Sequence, residues 1–243
     1  MRKSTNGRPP GTAWHASTGK STTTAKKKGA GMVLPPPAPP SSKATQASPP
    51  QQITAIHCYR NSRPNGDDNT CGQAAVATIL DFWGKDPWGL PRTKSGFPTH
   101  KKYWDDGAAI DAVKKRFPPD VVFGVFGTSG GQVRNALKAY GFAQARVEHT
   151  GLFSHGWEDR WKDLRRNVLL GRPVPVLVDV GRLGGGNFAG HWAIAYRIEN
   201  GMVHLGAMNA PRNKVSEKRF LEAWQCPAYP LGYNHCAVFT HPK

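Results

Sequence analysis

Three residues along the chain are of the types that thiol-based nucleophilic catalysis needs: Cys71, His191 and Asn209. Cys71 begins a predicted helix, where unpaired backbone N–H groups and the helix dipole stabilise an anion. A thiolate in this position has a lowered pKa and is available as a nucleophile near neutral pH. Because a nucleophilic cysteine needs a base, and the base needs an orienting group, we predict that His191 and Asn209 fill these two roles.

The spacing between the histidine and the asparagine is explained by a predicted hairpin. Eighteen residues separate His191 from Asn209, and Glu199-Asn200-Gly201 lies near the middle of this interval. Asn-Gly tolerates the positive φ angles of a tight turn, so the chain folds back here and the two ends of the interval meet on neighbouring strands. Asn209 can then accept a hydrogen bond from one ring nitrogen of His191 and leave the other facing Cys71.

Acyl transfer also requires donors for the oxyanion that develops on the attacked carbonyl group. The backbone N–H of Cys71 is one donor, and a side-chain amide just upstream is the usual second, for which Asn65 and Asn69 are both candidates. Gly72 is expected to leave room for a substrate backbone beside the sulfur. This chemistry uses no metal ion or other cofactor, and none is predicted.

Helices precede strands in the pattern of apolar residues. A nearly continuous apolar run after Cys71, closed by Gly84, is typical of a buried central helix, and further helical patterns occur before Pro173. After Pro173 the pattern is that of strands, and Ser216 can cap a short last helix. Helices followed by an antiparallel sheet indicate an α+β fold and not a wound α/β fold. The predicted helices are 71–83, 108–117, 133–140, 157–168 and 216–224, and the predicted strands are 174–180, 191–198, 202–208 and 236–239.

The positive charge of the chain is concentrated in its N-terminal part. The 243 residues include 33 Lys and Arg but 16 Asp and Glu, a net charge of +17, and no acidic residue occurs before Asp67. Residues 1–52 are rich in Pro, Ser and Thr and have too little apolar surface to offset the entropy of ordering, so we predict a disordered, basic leader or linker. The folded domain is predicted at 53–243.

Several classes of protein are excluded by composition. No apolar run reaches the roughly 18 residues that a membrane helix needs, so no membrane span is predicted. Four cysteines are too few for a disulfide-rich scaffold, and no CxxC pair indicates a zinc knuckle. The start Met1-Arg2-Lys3 is not followed by the apolar segment of a Sec signal peptide, so we expect a cytoplasmic protein in the cell that makes it.

The order of these motifs resembles the C39-like branch of the papain-like cysteine peptidases, over about 190 residues from Ile53 onward. The resemblance implies a helical half that bears the cysteine, a sheet half that bears the histidine, and a cleft between them. The segments that carry it are Asp68–Ala75, Gly171–Val176, Gly190–Ile194, the Asn-Gly turn, Asn209–Pro211 and Ser216–Trp224.

The resemblance implies that Cys71 is the nucleophile, His191 the general base and acid, and Asn209 the orienting residue. Two positions depart from the family pattern. Asn209 stands where the C39-like peptidases usually have Asp, although papain itself uses Asn. Asn65 stands six residues before the nucleophile, where Gln is usual, so its amide is one methylene closer to the backbone.

A cysteine protease that cleaves peptide bonds of a protein substrate through a thioester acyl-enzyme is the function implied. An acid-free leader without a Sec signal also resembles the architecture of bacterial effectors, in which a toxin domain is delivered by a specialised secretion system into the cytoplasm of a target cell. That role implies an immunity protein or inhibitor as a further partner. It rests on architecture and not on the site.

Two other functions stay open at this stage. The first is a peptidoglycan amidase or endopeptidase, although the NlpC/P60 and CHAP types generally place Cys and His much closer than the 120 residues that separate them here. The second is a basic nucleic-acid-binding protein in which Cys71 is an inert buried thiol. In the peptidase interpretation, nucleic acid binds only weakly, through the leader. Asn209 could equally be a turn former beside Pro211.

Overall fold

The structure, a computed structural model, describes residues 52–59, 69–87, 106–121, 127–150, 156–185, 190–208, 212–225 and 234–241. Within these ranges the chain forms α-helices and one six-stranded antiparallel sheet, so the predicted α+β class is confirmed. The predicted leader lies outside the described residues except for Gln52, and the domain boundary stays a prediction. The helices are α1 (Cys71–Phe82), α2 (Asp106–Arg116), α3 (Gly130–Ala139), α4 (Trp157–Leu169) and α5 (Glu217–Trp224). The strands are β1 (Arg146–Glu148), β2 (Val174–Asp179), β3 (Gly190–Glu199), β4 (Met202–Gly206), β5 (Lys214–Ser216) and β6 (Ala237–Phe239).

The strands lie in the order β1-β6-β2-β3-β4-β5, and every neighbouring pair is antiparallel. β6 comes last in the sequence but lies between β1 and β2. β2 and β3 pair along six residues, from Val174 opposite Ala195 to Asp179 opposite Gly190. This long ladder fixes the beginning of β3, where His191 is located.

The hairpin between β3 and β4 has the predicted Asn-Gly turn. Asn200 and Gly201 have φ angles of 49° and 70°, both in the left-handed region that a two-residue hairpin turn requires. From Glu199 opposite Met202, the two strands pair back to Ile194 opposite Gly206, with a bulge between Ala195 and Arg197. The prediction is confirmed, and the segment that follows β4 returns to the end of β3 that carries His191.

Helices cover both faces of the sheet. One buried cluster joins α1, α2 and α3 to one face, and the other joins α4 and α5 to the opposite face. α1 is buried over its first ten residues, which are mostly small or aliphatic, as the apolar run predicts. The sequence did not predict a helical layer on each face. The large side chains of the first cluster include Ile79, Leu80, Ile110, Leu137 and Trp192. Those of the second include Leu164, Val176, Val178, Phe220 and Trp224.

α5 begins as predicted, because the Ser216 hydroxyl accepts a hydrogen bond from the Arg219 backbone N–H at 3.3 Å. The two edge strands, β1 and β5, were not predicted; each has three residues, too few to show an alternating pattern. Among the described residues, no helix combines the length and the apolar character needed to cross a membrane.

Candidate active site

Cys71 is the first residue of α1, as predicted. The first intrahelical bond runs from the Ala74 N–H to the Thr70 carbonyl, at 2.9 Å, so the helix begins at the cysteine. Its side chain is buried against the sheet, with 9% of the residue exposed. A buried thiol at a helix N-terminus has backbone N–H groups close to the sulfur, and the N–H of Gly72 is hydrogen-bonded to it here.

His191, the second residue of β3, lies opposite Val178 of β2 and forms a side-chain hydrogen bond with Cys71. The structure therefore brings together two predicted site residues that are 120 positions apart in the chain. The backbone N–H of Trp192, the next residue of β3, is also hydrogen-bonded to the Cys71 sulfur. The sulfur thus lies between the beginning of a helix and the beginning of a strand.

The electrostatics of the pair favour the charged form of both side chains. Burial alone raises the pKa of Cys71, but the hydrogen bond and positive charge of His191, with the N–H groups of Trp192 and Gly72, bring that pKa below its ordinary value. Burial alone lowers the pKa of His191, but the hydrogen bond and negative charge of Cys71, with the Ala207 carbonyl, raise it overall. A thiolate beside an imidazolium is the reactive state of a cysteine nucleophile.

The other nitrogen of His191 is held by the backbone. His191 Nε2 lies 3.0 Å from the carbonyl oxygen of Ala207. Because a carbonyl oxygen can only accept, Nε2 carries the hydrogen of this bond, and Nδ1 is left for the Cys71 sulfur. Ala207 has a φ of 61°, in the left-handed region that a residue with a Cβ rarely adopts. This carbonyl is a functional group that no side-chain pattern could have revealed.

Of the three other predicted site residues, the structure describes one. Asn209 and Asn65 lie outside the described residues, so their roles stay predictions. Asn69 is described; it is exposed and lies two residues before Cys71. The acceptor at Nε2, the position that the sequence assigned to Asn209, is the carbonyl of Ala207, two residues earlier in the chain.

The role of Gly72 differs from the predicted one. A Cβ added there would lie 2.5 Å from the Cβ of Thr128 and 2.9 Å from its Oγ1. The space beside Gly72 is therefore filled by the protein itself and is not open to a substrate backbone. The glycine is needed because the first turn of α1 packs directly on Thr128.

In the described part of the chain, no three His, Cys, Asp or Glu side chains are grouped closely enough to hold a metal ion. The sequence has two His-Cys pairs, His57-Cys58 and His235-Cys236, and their histidines have different neighbours. His57 lies 3.3 Å from Asp81 on α1, whereas His235 is stacked on Trp157.

The site can carry out nucleophilic attack on an electrophilic carbon, followed by proton donation to a leaving group. The thiolate supplies the nucleophile, and Nδ1 of His191 supplies the proton. Backbone hydrogen bonds hold both groups: the sulfur receives them from Gly72 and Trp192, and the imidazole donates one to Ala207.

Comparison of the chain with models of known protein families finds no match, and comparison with curated proteins finds none either. Among solved structures, a match is found to the peptidase domain of Streptococcus ComA, a bifunctional ABC transporter involved in a quorum-sensing pathway. The match has 15% sequence identity and a TM-score of 0.40, and covers 71% of this chain and 91% of that domain. A similarity this weak assigns neither a family nor an activity, so the chemistry of the site is inferred from its own residues.

Proposed function

We propose that this chain is a cysteine peptidase of the papain-like, C39-like type, which hydrolyses a peptide bond of a protein substrate through a thioester acyl-enzyme. The observation that carries the proposal is the hydrogen-bonded pair of Cys71 and His191. In this pair the hydrogen bonds and the charge of the imidazole outweigh the effect of burial, and the pKa of the thiol is lowered. An inert buried thiol would show the opposite direction, because burial alone raises the pKa of a cysteine.

In the first step the Cys71 thiolate attacks the substrate carbonyl carbon, and a carbon–sulfur bond forms while the carbonyl oxygen becomes an oxyanion. The Cys71 backbone N–H and the amide of Asn65, or alternatively Asn69, are the proposed oxyanion donors. The carbon–nitrogen bond then breaks, and the leaving amine takes the Nδ1 proton of His191. The products of this step are a thioester and a neutral imidazole.

In the second step water attacks the thioester, and His191 Nδ1 takes a proton from it. The carbon–sulfur bond breaks, the carboxylic acid leaves, and the thiolate and imidazolium are restored. The Ala207 carbonyl keeps the proton on Nε2 throughout, so that Nδ1 alone exchanges protons with the reactants. Asn209 is proposed as the orienting residue on sequence grounds.

The proposal is tested by mapping new protein termini in cells that express the wild type, Cys71→Ala or Cys58→Ala. Cys58 is a matched control because it is a second, half-buried thiol of the same domain. We expect new termini with the wild type and Cys58→Ala and none with Cys71→Ala. Termini that persist in Cys71→Ala, or termini absent throughout while purified cell-wall sacculi are cleaved, would contradict a protein-directed peptidase.

As a biological role we propose an antagonistic effector delivered into a target cell, with the acid-free leader as the supporting feature. Expression inside bacterial cells should then be toxic with the wild type and harmless with Cys71→Ala. Toxicity that survives in Cys71→Ala would instead favour the basic chain acting on nucleic acid. In that case a gel shift with DNA should weaken by orders of magnitude as salt rises.

A further inference from the structure

Thr128 lies just before α3 and contacts the residues next to both members of the Cys71–His191 pair. It is buried, with 2% of the residue exposed. It belongs to the segment Gly127–Ser129, more than fifty residues after Cys71 and more than sixty before His191 in the sequence. None of the sequence motifs pointed to it.

Thr128 is joined to the first turn of α1 by packing and by a hydrogen bond. Its hydroxyl donates to Oε1 of Gln73 at 3.0 Å, and Nε2 of Gln73 donates to the Phe117 carbonyl at 2.8 Å. Its Cβ lies 2.5 Å from the point where a Cβ on Gly72 would be. Helix α1 can therefore approach no closer, and Gln73, which is 1% exposed, cannot move away without leaving buried polar atoms unpaired.

Thr128 is joined to β3 through its backbone. Its carbonyl accepts a hydrogen bond of 2.7 Å from the indole Nε1–H of Trp192. Trp192 is completely buried, follows His191 directly, and donates its own backbone N–H to the Cys71 sulfur. The position of this indole therefore affects the beginning of β3, which carries the His191 imidazole.

The segment around Thr128 is itself held firmly. The Asp120 carboxylate accepts from the Ser129 N–H at 2.7 Å and from the Ser129 hydroxyl at 2.6 Å. The backbone N–H groups of Asp120 and Val121 both donate to the Gly127 carbonyl at 3.1 Å. These four hydrogen bonds, two on each side of Thr128, fix the position of the residue that α1 and β3 both contact.

We propose that Thr128 is a positioning residue, which holds the first turn of α1 and the beginning of β3 at the separation that the Cys71–His191 hydrogen bond requires. This role rests on the proposed function, because it concerns the contact between the Cys71 thiol and the His191 imidazole. Groups that orient a reacting residue commonly affect its reactivity by 10-fold or more without touching the substrate, since a displacement of about 1 Å is enough.

The test compares Thr128→Val with Thr78→Val. Thr128→Val keeps the shape of the side chain and removes the hydroxyl that Gln73 accepts from. Thr78 is the matched control: it lies on helix α1, as Gln73 does, is 0% exposed, and its hydroxyl oxygen accepts from the Tyr59 N–H at 3.0 Å. Both variants lose one buried hydrogen bond, but only the first is next to the reacting pair.

The measurement is the rate of alkylation of Cys71 by iodoacetamide as a function of pH, resolved by peptide mass spectrometry. We expect Thr128→Val to move the acid limb of the pH–rate profile of Cys71 alkylation to higher pH. The alkylation rate at pH 6 should fall by about 10-fold. Thr78→Val and Thr128→Ser, which keeps the hydroxyl, should stay within about twofold of the wild type. A merely structural role would reduce the folded fraction and leave the pH profile of the folded protein unchanged.

A Thr128→Val profile that coincides with that of Thr78→Val would overturn the inference. If Thr128→Val does not fold, Trp192→Phe removes the indole donor to the Thr128 carbonyl, and an unchanged profile in that variant would overturn it equally. Alkylation needs no substrate, so the result is independent of whether a peptide is cleaved. A wild type with a shifted Cys71 profile but no peptidase activity would contradict the proposed function alone.

Discussion

Replacing His191 should reverse the direction in which the pKa of Cys71 departs from its ordinary value. Burial is the largest influence on the thiol and raises its pKa, and the imidazole is the largest of the influences that lower it. In His191→Phe an aromatic ring is kept but both ring nitrogens are lost, so the effect of burial on the thiol pKa dominates. We therefore expect a thiol pKa above the ordinary value in this variant and below it in the wild type.

The size of the change follows from the hydrogen bond. A hydrogen bond to a charged group contributes about 1.5–3 kcal/mol, which corresponds to about 1–2 pH units in the titration of the thiol. At pH values below the pKa of the wild-type thiol, the thiolate fraction should then fall by about 10- to 100-fold. His191→Gln, which can donate a hydrogen bond but carries no charge, should lie between His191→Phe and the wild type.

The assay is a pH titration of the thiolate by its ultraviolet absorbance, combined with the alkylation rate of the Cys71 peptide. The Cys58 peptide of the same chain serves as an internal reference thiol. The backbone N–H of Gly72 at the start of α1 is unchanged in both variants. A His191→Phe variant that titrates like the wild type would show that the helix terminus, and not the imidazole, stabilises the thiolate.

Two further predictions concern Asn209 and His235. Asn209→Ala should lower the alkylation rate of Cys71 by less than about 10-fold, because Nε2 of His191 already donates to the Ala207 carbonyl; a loss near 1000-fold would instead make Asn209 the principal orienting group. Burial beside Trp224 lowers the pKa of His235 from 6.5 to about 4, so the unfolded chain binds a proton there that the folded chain does not. As pH falls from 6.5 to 4 the folded state should lose up to about 3 kcal/mol of stability from this group, and below pH 4 the loss should stay constant. His235→Asn, which tolerates the φ of 53° at this position, should remove that slope in urea unfolding measured against pH, and a slope unchanged in the variant would assign it to other groups.

The parts of the fold that could be predicted from the sequence are those with strong local signals. The nearly continuous apolar run after Cys71 predicted α1, and Asn200-Gly201 predicted the β3–β4 hairpin. β1 is only three residues long and has no local signal of its own. The location of β6 between β1 and β2 depends on pairing between residues about ninety positions apart, such as Arg146 with Phe239, which local periodicity does not encode.

The candidate site divides in the same way. Cys71 and His191 could be predicted as a pair because the beginning of a helix stabilises a thiolate, and because the order of the motifs resembles that of a known family. The Ala207 carbonyl could not, since every residue has a carbonyl and only the backbone conformation directs this one to Nε2. Thr128 could not either, because its contacts to Gln73 and Trp192 cross between separate elements of the core.

The conformation of Ala207 shows which requirement shapes the end of β4. Among the described residues, three that are not glycine have a positive φ: Asn200, Ala207 and His235. Asn200 occupies a tight turn that requires this conformation, and its side chain tolerates it. Ala207 has no such side chain, so its left-handed conformation costs about 1–2 kcal/mol. The carbonyl of Ala207 accepts a hydrogen bond from Nε2 of His191, which contributes about 0.5–1.5 kcal/mol when the imidazole is neutral and about 1.5–3 kcal/mol when it is protonated. The bend after β4 is therefore stabilised more strongly when His191 is protonated, and the protonation of the reacting pair is coupled to the backbone that orients it.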